Sequence, residues 1–411
     1  MVKSVLRVKA YMLKREVHLP GPTEASACEP LLRAHMPELD TIRGLAILGV
    51  LFYHGFYWAR DVSRYTPWQK RFLSLMAPGQ FGVNLFFVLS GFLITGILLQ
   101  SRNRPNYYRR FYLRRALRIL PAYYLTLFLL ILFGVTSRGF LFMSLLYSSN
   151  LSPLFGIAIS YPVLWSLAVE EHFYLIWPSV VRRISPTKLL WILGAILVLS
   201  PISRLLYFEH APSTYMARPE FGALTWNHLD GLALGSILAI LVRRREWSRQ
   251  QLLRFSILLM TIAILVAVAG APFGILSRRS AFGEAAQYVP WNFAFAGLLG
   301  MFLLIGSGPW KGLVTPSFLI FFGQISYGLY LYHLLVLLGY AWVARKTNIE
   351  SLLHLNLWEQ VWTRMLIAGT GAVIVAYLSR RYFEEPFLRW KDRLPSSAKT
   401  ETDREKGRAA V

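Results

Sequence analysis

Long apolar runs, repeated through most of the chain, constrain this fold more than any other feature of the sequence. A bilayer core about 30 Å thick takes about 20 apolar residues of helix, at about 1.5 Å of rise each. Inside it every backbone polar group must be satisfied within the protein, which leaves helices or a closed barrel. Runs of membrane length fall at about ten places, approximately residues 39–59, 81–99, 119–137, 163–181, 189–207, 226–242, 253–270, 291–307, 317–342 and 361–379. The ninth is long enough to tilt. The expected fold is an all-α polytopic membrane protein of about ten transmembrane helices. A hydrophobic share of 55% and a mean hydropathy of +0.43 exclude an ordinary soluble domain. The stretch 139–152 is apolar but too short to span and ends in the polar run from Tyr147 to Asn150. It reads as re-entrant or interfacial.

The net charge of +23 raises nucleic acid as a partner, but the 44 Lys and Arg residues sit in short blocks between apolar runs. That pattern is a topology signal, and nucleic acid is not an expected partner. Counted by side, the basic residues favour both termini in the cytoplasm. Residues 1–37 read as a basic, disordered cytoplasmic arm broken by Pro20, Gly21, Pro22 and Pro30, with no apolar segment of signal-peptide type. Residues 38–390 read as one membrane domain, and 391–411 as a short disordered cytoplasmic tail. The single cysteine, Cys28, excludes an internal disulfide framework and a Cys-rich metal site, and no metal is expected.

Ionisable groups inside apolar helices are costly, so each one needs a reason. The first run carries Asp40, Arg43 and His54. Arg43 and His54 are 11 residues apart. That spacing puts them on one helix face, separated by about 16 Å. The loop after the second run, SRNRPNYYRRFYLRRALRILPAYY, places Arg115 and Arg118 on adjacent turns of one face. They form either a clamp for phosphates or a topology signal against anionic headgroups. The fourth run, LWSLAVEEHFYLIWP, holds Glu170 at a depth similar to that of His54, so carboxylate and imidazole are expected to meet there or to form a buried polar pair. Ser326, Tyr330 and His333 make a polar stripe along the ninth run, which lines either a cavity or a helix interface. The sixth run brings His228 and Asp230, with Gly231 and Gly235 spaced for close helix approach. Asn84 is the polar outlier of the second run, and Glu384 and Glu385 can pair with neighbouring arginines.

Taken in order, MPELDTIRGLAILGVLFYHGFYW, GVNLFFVLSGFLI, RRALRILPAYY, WSLAVEEHFYLIWP, LDGLALG, ISYGLYLYHLLV and YFEEPFLRW resemble the acyltransferase-3 family of integral membrane acyltransferases, from Leu39 to about Trp390. The resemblance implies transfer of an acyl group, acetyl first among the candidates, from cytoplasmic acyl-CoA to a hydroxyl of a surface or secreted glycan or similar acceptor. It implies a bacterial cytoplasmic (inner) membrane location, the bilayer, acyl-CoA and the acceptor as partners, and no permanently bound cofactor. His54 matches the family's first-helix histidine, the expected catalytic base or acyl carrier, with Glu170 expected to orient it. Arg115 and Arg118 match the family's R-x-x-R motif, which is linked to the donor, and Arg43 matches its intramembrane arginine and is expected to bind the donor with them. Asn84, Trp165, Asp230, Tyr330, His333 and Glu384 are expected to bind substrate or support the site. Two positions depart from the family pattern: Asn84 stands where many members have Asp, and His228 where many have Arg. A transporter or flippase using the same intramembrane groups as a proton relay is the competing reading.

Overall fold

The computed structural model describes residues 31–33, 35–57, 61–210, 222–244, 247–275 and 281–393. The expected arm and tail lie outside the described residues except for 31–33, 35–37 and 391–393. Among the described residues the regular structure is entirely helical.

In chain order the main helices are α1 (Pro37–Phe52), α2 (Pro67–Met76), α3 (Gly82–Ser101), α4 (Tyr107–Leu132) and α5 (Arg138–Leu145). They continue with α6 (Leu164–Arg183), α7 (Pro186–His210), α8 (Leu229–Leu241), α9 (Arg249–Gly270) and α10 (Tyr288–Gly306). The last are α11 (Ser317–Thr347), α12 (Leu357–Arg364), α13 (Thr370–Leu378) and α14 (Glu385–Arg393). Their starts follow local chemistry. The α9 start is a reciprocal cap, in which Ser248 accepts from the Gln251 amide at 3.2 Å and Gln251 accepts from the Ser248 amide at 2.6 Å. Asn356 and Glu359 do the same for α12.

Among the described residues seven helical segments are long and apolar enough to cross a membrane: 67–101, 107–132, 186–207, 249–273, 282–306, 311–347 and 357–390. The expectation of about ten spans exceeds that number because three of the expected spans fail on charge or length. The first, α1, carries Glu38, Asp40 and Arg43; α6 carries Glu170, Glu171, Arg182 and Arg183; and α8 has 13 residues. The reason is their place in the bundle. Most side chains of α8 and half or more of those of α1 are buried against protein, whereas α7 and α9 present Leu199 and Leu265, each 60% exposed, outward. Helices shielded by other helices tolerate polar groups that a lipid-facing helix cannot.

The 139–152 stretch becomes the short helix α5, a left-handed turn at Tyr147 (φ 54°) and a 3₁₀ turn Ser149–Phe155. Tyr123 donates to the Ser144 carbonyl at 2.7 Å, and Ser149 to the Leu164 carbonyl at 3.0 Å, fixing the segment to α4 and α6. It does not span, as expected.

Two helix crossings set the interior. Where α1 meets α11, a Cβ at Gly44 would lie 2.1 Å from the Leu319 carbonyl oxygen, and one at Gly323 would lie 1.9 Å from that of Asp40. Where α3 meets α8, a Cβ at Gly91 would lie 2.0 Å from the Leu232 oxygen, and one at Gly235 would lie 1.8 Å from that of Val88. Backbones this close admit no side chain. Gly194 in α7 has open space where its Cβ would go. Gly235→Ala is therefore expected to destabilise the protein by about 1–3 kcal/mol through overpacking. Gly194→Ala is expected to stabilise it slightly, since Ala is the better helix former by up to about 1 kcal/mol. Thermal unfolding of both variants in detergent, beside the wild type, checks the contrast.

Candidate active site

The α1–α11 crossing brings His54 against His333. Their rings are 5.0 Å apart, and His333 Nε2 lies 3.3 Å from His54 Nδ1. The hydrogen bonds assign the tautomers. His333 Nδ1 faces the Leu329 carbonyl at 2.9 Å, so it carries the proton, and the Nε2 of a neutral His333 is an acceptor. His54 Nδ1 faces that acceptor and the Val50 carbonyl at 2.9 Å, so it too carries a proton. The lone pair of a neutral His54 is then on Nε2, which makes that atom the basic nitrogen of the pair.

Backbone geometry is unusual here. The α1 helix opens into a π turn over Tyr53–Tyr57, holding His54, and a second π turn covers Met365–Gly369. The two meet at Gly55, where a Cβ would fall 2.4 Å from Met365 Sδ. Single π turns inside helices concentrate at functional positions because they re-aim one side chain out of helical register.

The arginines gather toward the other end of α1. Arg43, Arg115 and Arg118 line one cavity of about 230 Å³, together with Ser90, Ser166, Glu170, Glu171 and Tyr330. Its walls include Phe86, Leu89, Leu93 and Ile97. A second cavity, also about 230 Å³, shares Arg43, Arg118, Ser326 and Tyr327 with the first, and adds Asp40, Gln324, Arg380, Glu384 and Glu385. The shared side chains make the two neighbours. Arg43 is paired with Asp40. Arg118 is exposed, and it lines both cavities. Arg115 stacks its guanidinium over the Tyr174 ring at 4.8 Å. Among the described residues neither Arg115 nor Arg118 makes a salt bridge, which suits an anionic ligand.

One expectation is overturned. Glu170 does not orient His54: its carboxylate accepts from Ser90 at 2.5 Å, and Arg115 and Arg118 are the cations that act on it. It belongs to the arginine cavity, while the ring that touches the His54 imidazole is His333. Equal depth along two helices does not fix which faces meet.

The remaining predicted residues divide into two groups. Tyr330 lies in the arginine cavity with its ring 6.0 Å from that of His333, and so links cavity and histidine pair. Glu384 lines the second cavity and accepts from Ser379 at 3.1 Å, while its neighbour Glu385 pairs with Arg380 at 3.0 Å. Asn84, Trp165 and Asp230 line neither cavity. Asn84 donates to Asn292 at 2.9 Å, Trp165 packs over the His228 ring at 4.7 Å, and Asp230 accepts from Arg204 at 2.8 Å. They support a buried polar layer. The arginine missing at position 228 has a stand-in, since Arg204 supplies the cation for Asp230.

Sequence reasoning missed Ser166 and Arg204 as contributors, whereas the expected pairing of Glu384 or Glu385 with a neighbouring arginine is met by Arg380 and Glu385. Ser166 sits inside a recognised motif, but a serine in an apolar helix carries no signal until its partner, Tyr330, is known.

Residues 36–381 match the sequence profile of a family described as an acyltransferase domain, acyltransferase-3. The chain is 27% identical over 394 residues to the peptidoglycan O-acetyltransferase OatA of Listeria monocytogenes, covering 86% of this chain and 56% of that protein. It is 27% identical over 344 residues to the O-acetyltransferase OatA of Staphylococcus aureus, covering 73% and 50%. ORF330 of Acidianus two-tailed virus, which carries a provisional acetyltransferase name, is 31% identical over 309 residues, covering 73% and 83%. The chain thus spans about half the length of the OatA relatives it matches. No solved structure matches it.

Proposed function

The chain belongs to the acyltransferase-3 family, and on that premise we propose that it is a membrane O-acetyltransferase, drawing on cytoplasmic acetyl-CoA and acting on a glycan hydroxyl. One observation carries the reading: a cavity lined by three arginines is also lined by Tyr330, whose ring lies 6.0 Å from that of His333, which in turn touches His54. In this reading the Arg43 end faces the cytoplasm and the bundle lies in a bacterial cytoplasmic membrane, with α1, α6 and α8 crossing as interior helices.

The donor divides chemically as the cavity does. Its phosphates suit Arg115 and Arg118, whose guanidinium forks match phosphate geometry. Its thin pantetheine arm suits the wall of Phe86, Leu89, Leu93 and Ile97. The rise along α1 from Arg43 to His54 is about 16 Å, comparable with that arm, so a donor held by the arginines presents its thioester near the histidines. His54 Nε2 takes the proton from the acceptor hydroxyl as its oxygen attacks the thioester carbonyl, or else accepts the acyl group itself before passing it on. His333 acts through His54, by holding the ring and its tautomer. The glycan acceptor rests on the relatives, two of which are named O-acetyltransferases and one of those for peptidoglycan.

Detergent-purified protein given acetyl-CoA is expected to release free CoA thiol beyond one equivalent per protein only when a soluble peptidoglycan-derived oligosaccharide is also present. A transporter or flippase would release none. A further expectation concerns His333→Ala, which should slow release about 10-fold or more by freeing the His54 ring, in line with the cost of losing an orienting partner. The apparent KM for acetyl-CoA should stay near the wild-type value.

A further inference from the structure

We propose that the hydroxyls of Ser166 and Tyr330 form the site that binds the donor's thioester carbonyl oxygen and stabilises the negative charge it gains during transfer. The proposal rests on the acyltransfer reading above and assigns that reaction its oxyanion-stabilising groups.

Both hydroxyl-bearing residues line the arginine cavity, Ser166 from the first turn of α6 and Tyr330 from the middle of α11. They are 4% and 7% exposed, and their oxygens are 2.5 Å apart. Two hydroxyls bring two protons, and one proton serves the bond between them. The fate of the other decides the chemistry. If Tyr330 donates to Ser166, the Ser166 proton goes to the Val163 carbonyl over a long 3.3 Å. If Ser166 donates to Tyr330, the phenol proton has no further acceptor among the described residues. Either arrangement leaves one O–H weakly committed, at a buried place on the cavity wall. A carbonyl oxygen arriving there is a better acceptor than the distant Val163 oxygen. An oxyanion is better still, so the bond strengthens as charge develops, which is the property that accelerates a reaction.

Position supports the same assignment. Tyr330 is one turn from His333, with rings 6.0 Å apart, and His333 Nε2 lies 3.3 Å from His54. A carbonyl held at Tyr330 therefore sits between the phosphate-binding arginines and the base. In atoms, the acceptor oxygen forms a bond to the carbonyl carbon as its proton passes to His54 Nε2. The C=O electron pair moves onto the oxygen held by Ser166 and Tyr330. That pair then returns, the C–S bond breaks, and the thiolate takes the proton from the His54 imidazolium, leaving the ester and CoA–SH.

A purely structural role, pinning α6 to α11, is the alternative, and it predicts different results. Tyr330→Phe keeps the ring against Phe86, 6.2 Å away between centroids, and removes only the hydroxyl. Tyr330→Phe and Ser166→Ala are each expected to lower kcat about 10²-fold, the usual loss for one oxyanion donor, with KM for acetyl-CoA within about two-fold of wild type. Ser166→Thr, which keeps a hydroxyl, should retain most activity. The second readout is independent of turnover. With ¹³C-carbonyl acetyl-CoA bound to purified protein, the isotope-edited infrared carbonyl band should lie at lower frequency in wild type than in Tyr330→Phe. Coincident bands in wild type, Tyr330→Phe and Ser166→Ala, with donor bound and wild-type turnover normal, overturn the oxyanion assignment alone. Failure of wild type to bind acetyl-CoA or release CoA overturns the acyltransfer reading, and this assignment with it. If Tyr330→Phe does not fold, Ser166→Ala against Ser166→Thr decides: equal kcat in the two overturns the proposal.

Discussion

His54→Ala is expected to lower acceptor-dependent CoA release by about 10²–10⁴-fold, the contribution of a positioned general base, while acetyl-CoA still binds. The separation follows from the site's geometry. His54 is reached from the cavity through Tyr330 and His333 and does not line it, whereas Arg43, Arg115 and Arg118 do. The base at His54 Nε2 is set by its own Val50 bond and by His333, so removing the imidazole takes away proton transfer without touching the donor wall. Equilibrium binding of acetyl-CoA beside the rate assay checks both halves. Wild-type rates in a folded, membrane-inserted His54→Ala protein would remove the histidine from the chemistry.

The second large effect lies at the opposite end of α1. Arg115→Ala combined with Arg118→Ala is expected to raise the KM for acetyl-CoA by about 10²-fold or more. Each lost charge-assisted hydrogen bond is worth about 1.5–3 kcal/mol, and the two residues act on one anionic ligand. The double variant should leave kcat at saturating donor much less affected than KM. Arg118 is the more consequential of the pair, because it lines both cavities, whereas Arg115 lines one and stacks on Tyr174. Unchanged donor dependence in the double variant would reduce these arginines to topology signals. Lys substitutions should recover only part of the loss, since an ammonium cannot match the planar two-toothed fork.

The parts legible in the sequence were those set by spacing within one helix. Arg43 stands near the start of α1 and His54 just past its end, and Ser326 and Tyr330 line a cavity, one of the two places their shared stripe with His333 allowed. Gly235 does make a close crossing, because a small residue on an apolar helix has few other uses. Relations between helices were hidden. Depth alone paired Glu170 with His54, but rotation of α6 about its axis turns the carboxylate to Ser90 and the arginines instead. Asp230 finds Arg204, and Asn84 finds Asn292, across separations that no local pattern encodes. The π turns at Tyr53–Tyr57 and Met365–Gly369 break the 100° register on which face assignments depend. The two counts, about ten expected spans and seven by length and apolar composition among the described residues, differ for a physical reason too, since hydropathy ranks helices by tolerance of lipid, and α1 and α8 meet mostly protein.

The central claim is that donor and acceptor meet inside one bundle from opposite faces, with the arginines on one side and His54 toward the other. Proteoliposomes test it most directly: radiolabelled acetyl-CoA is sealed inside vesicles, a membrane-impermeant peptidoglycan-derived oligosaccharide is supplied only outside, and the protein's orientation is fixed by protease access to its N-terminal arm. For molecules with the arm inside, label is expected on the external oligosaccharide while CoA stays in the lumen. Label transfer that occurs only when donor and acceptor share one compartment would contradict the account.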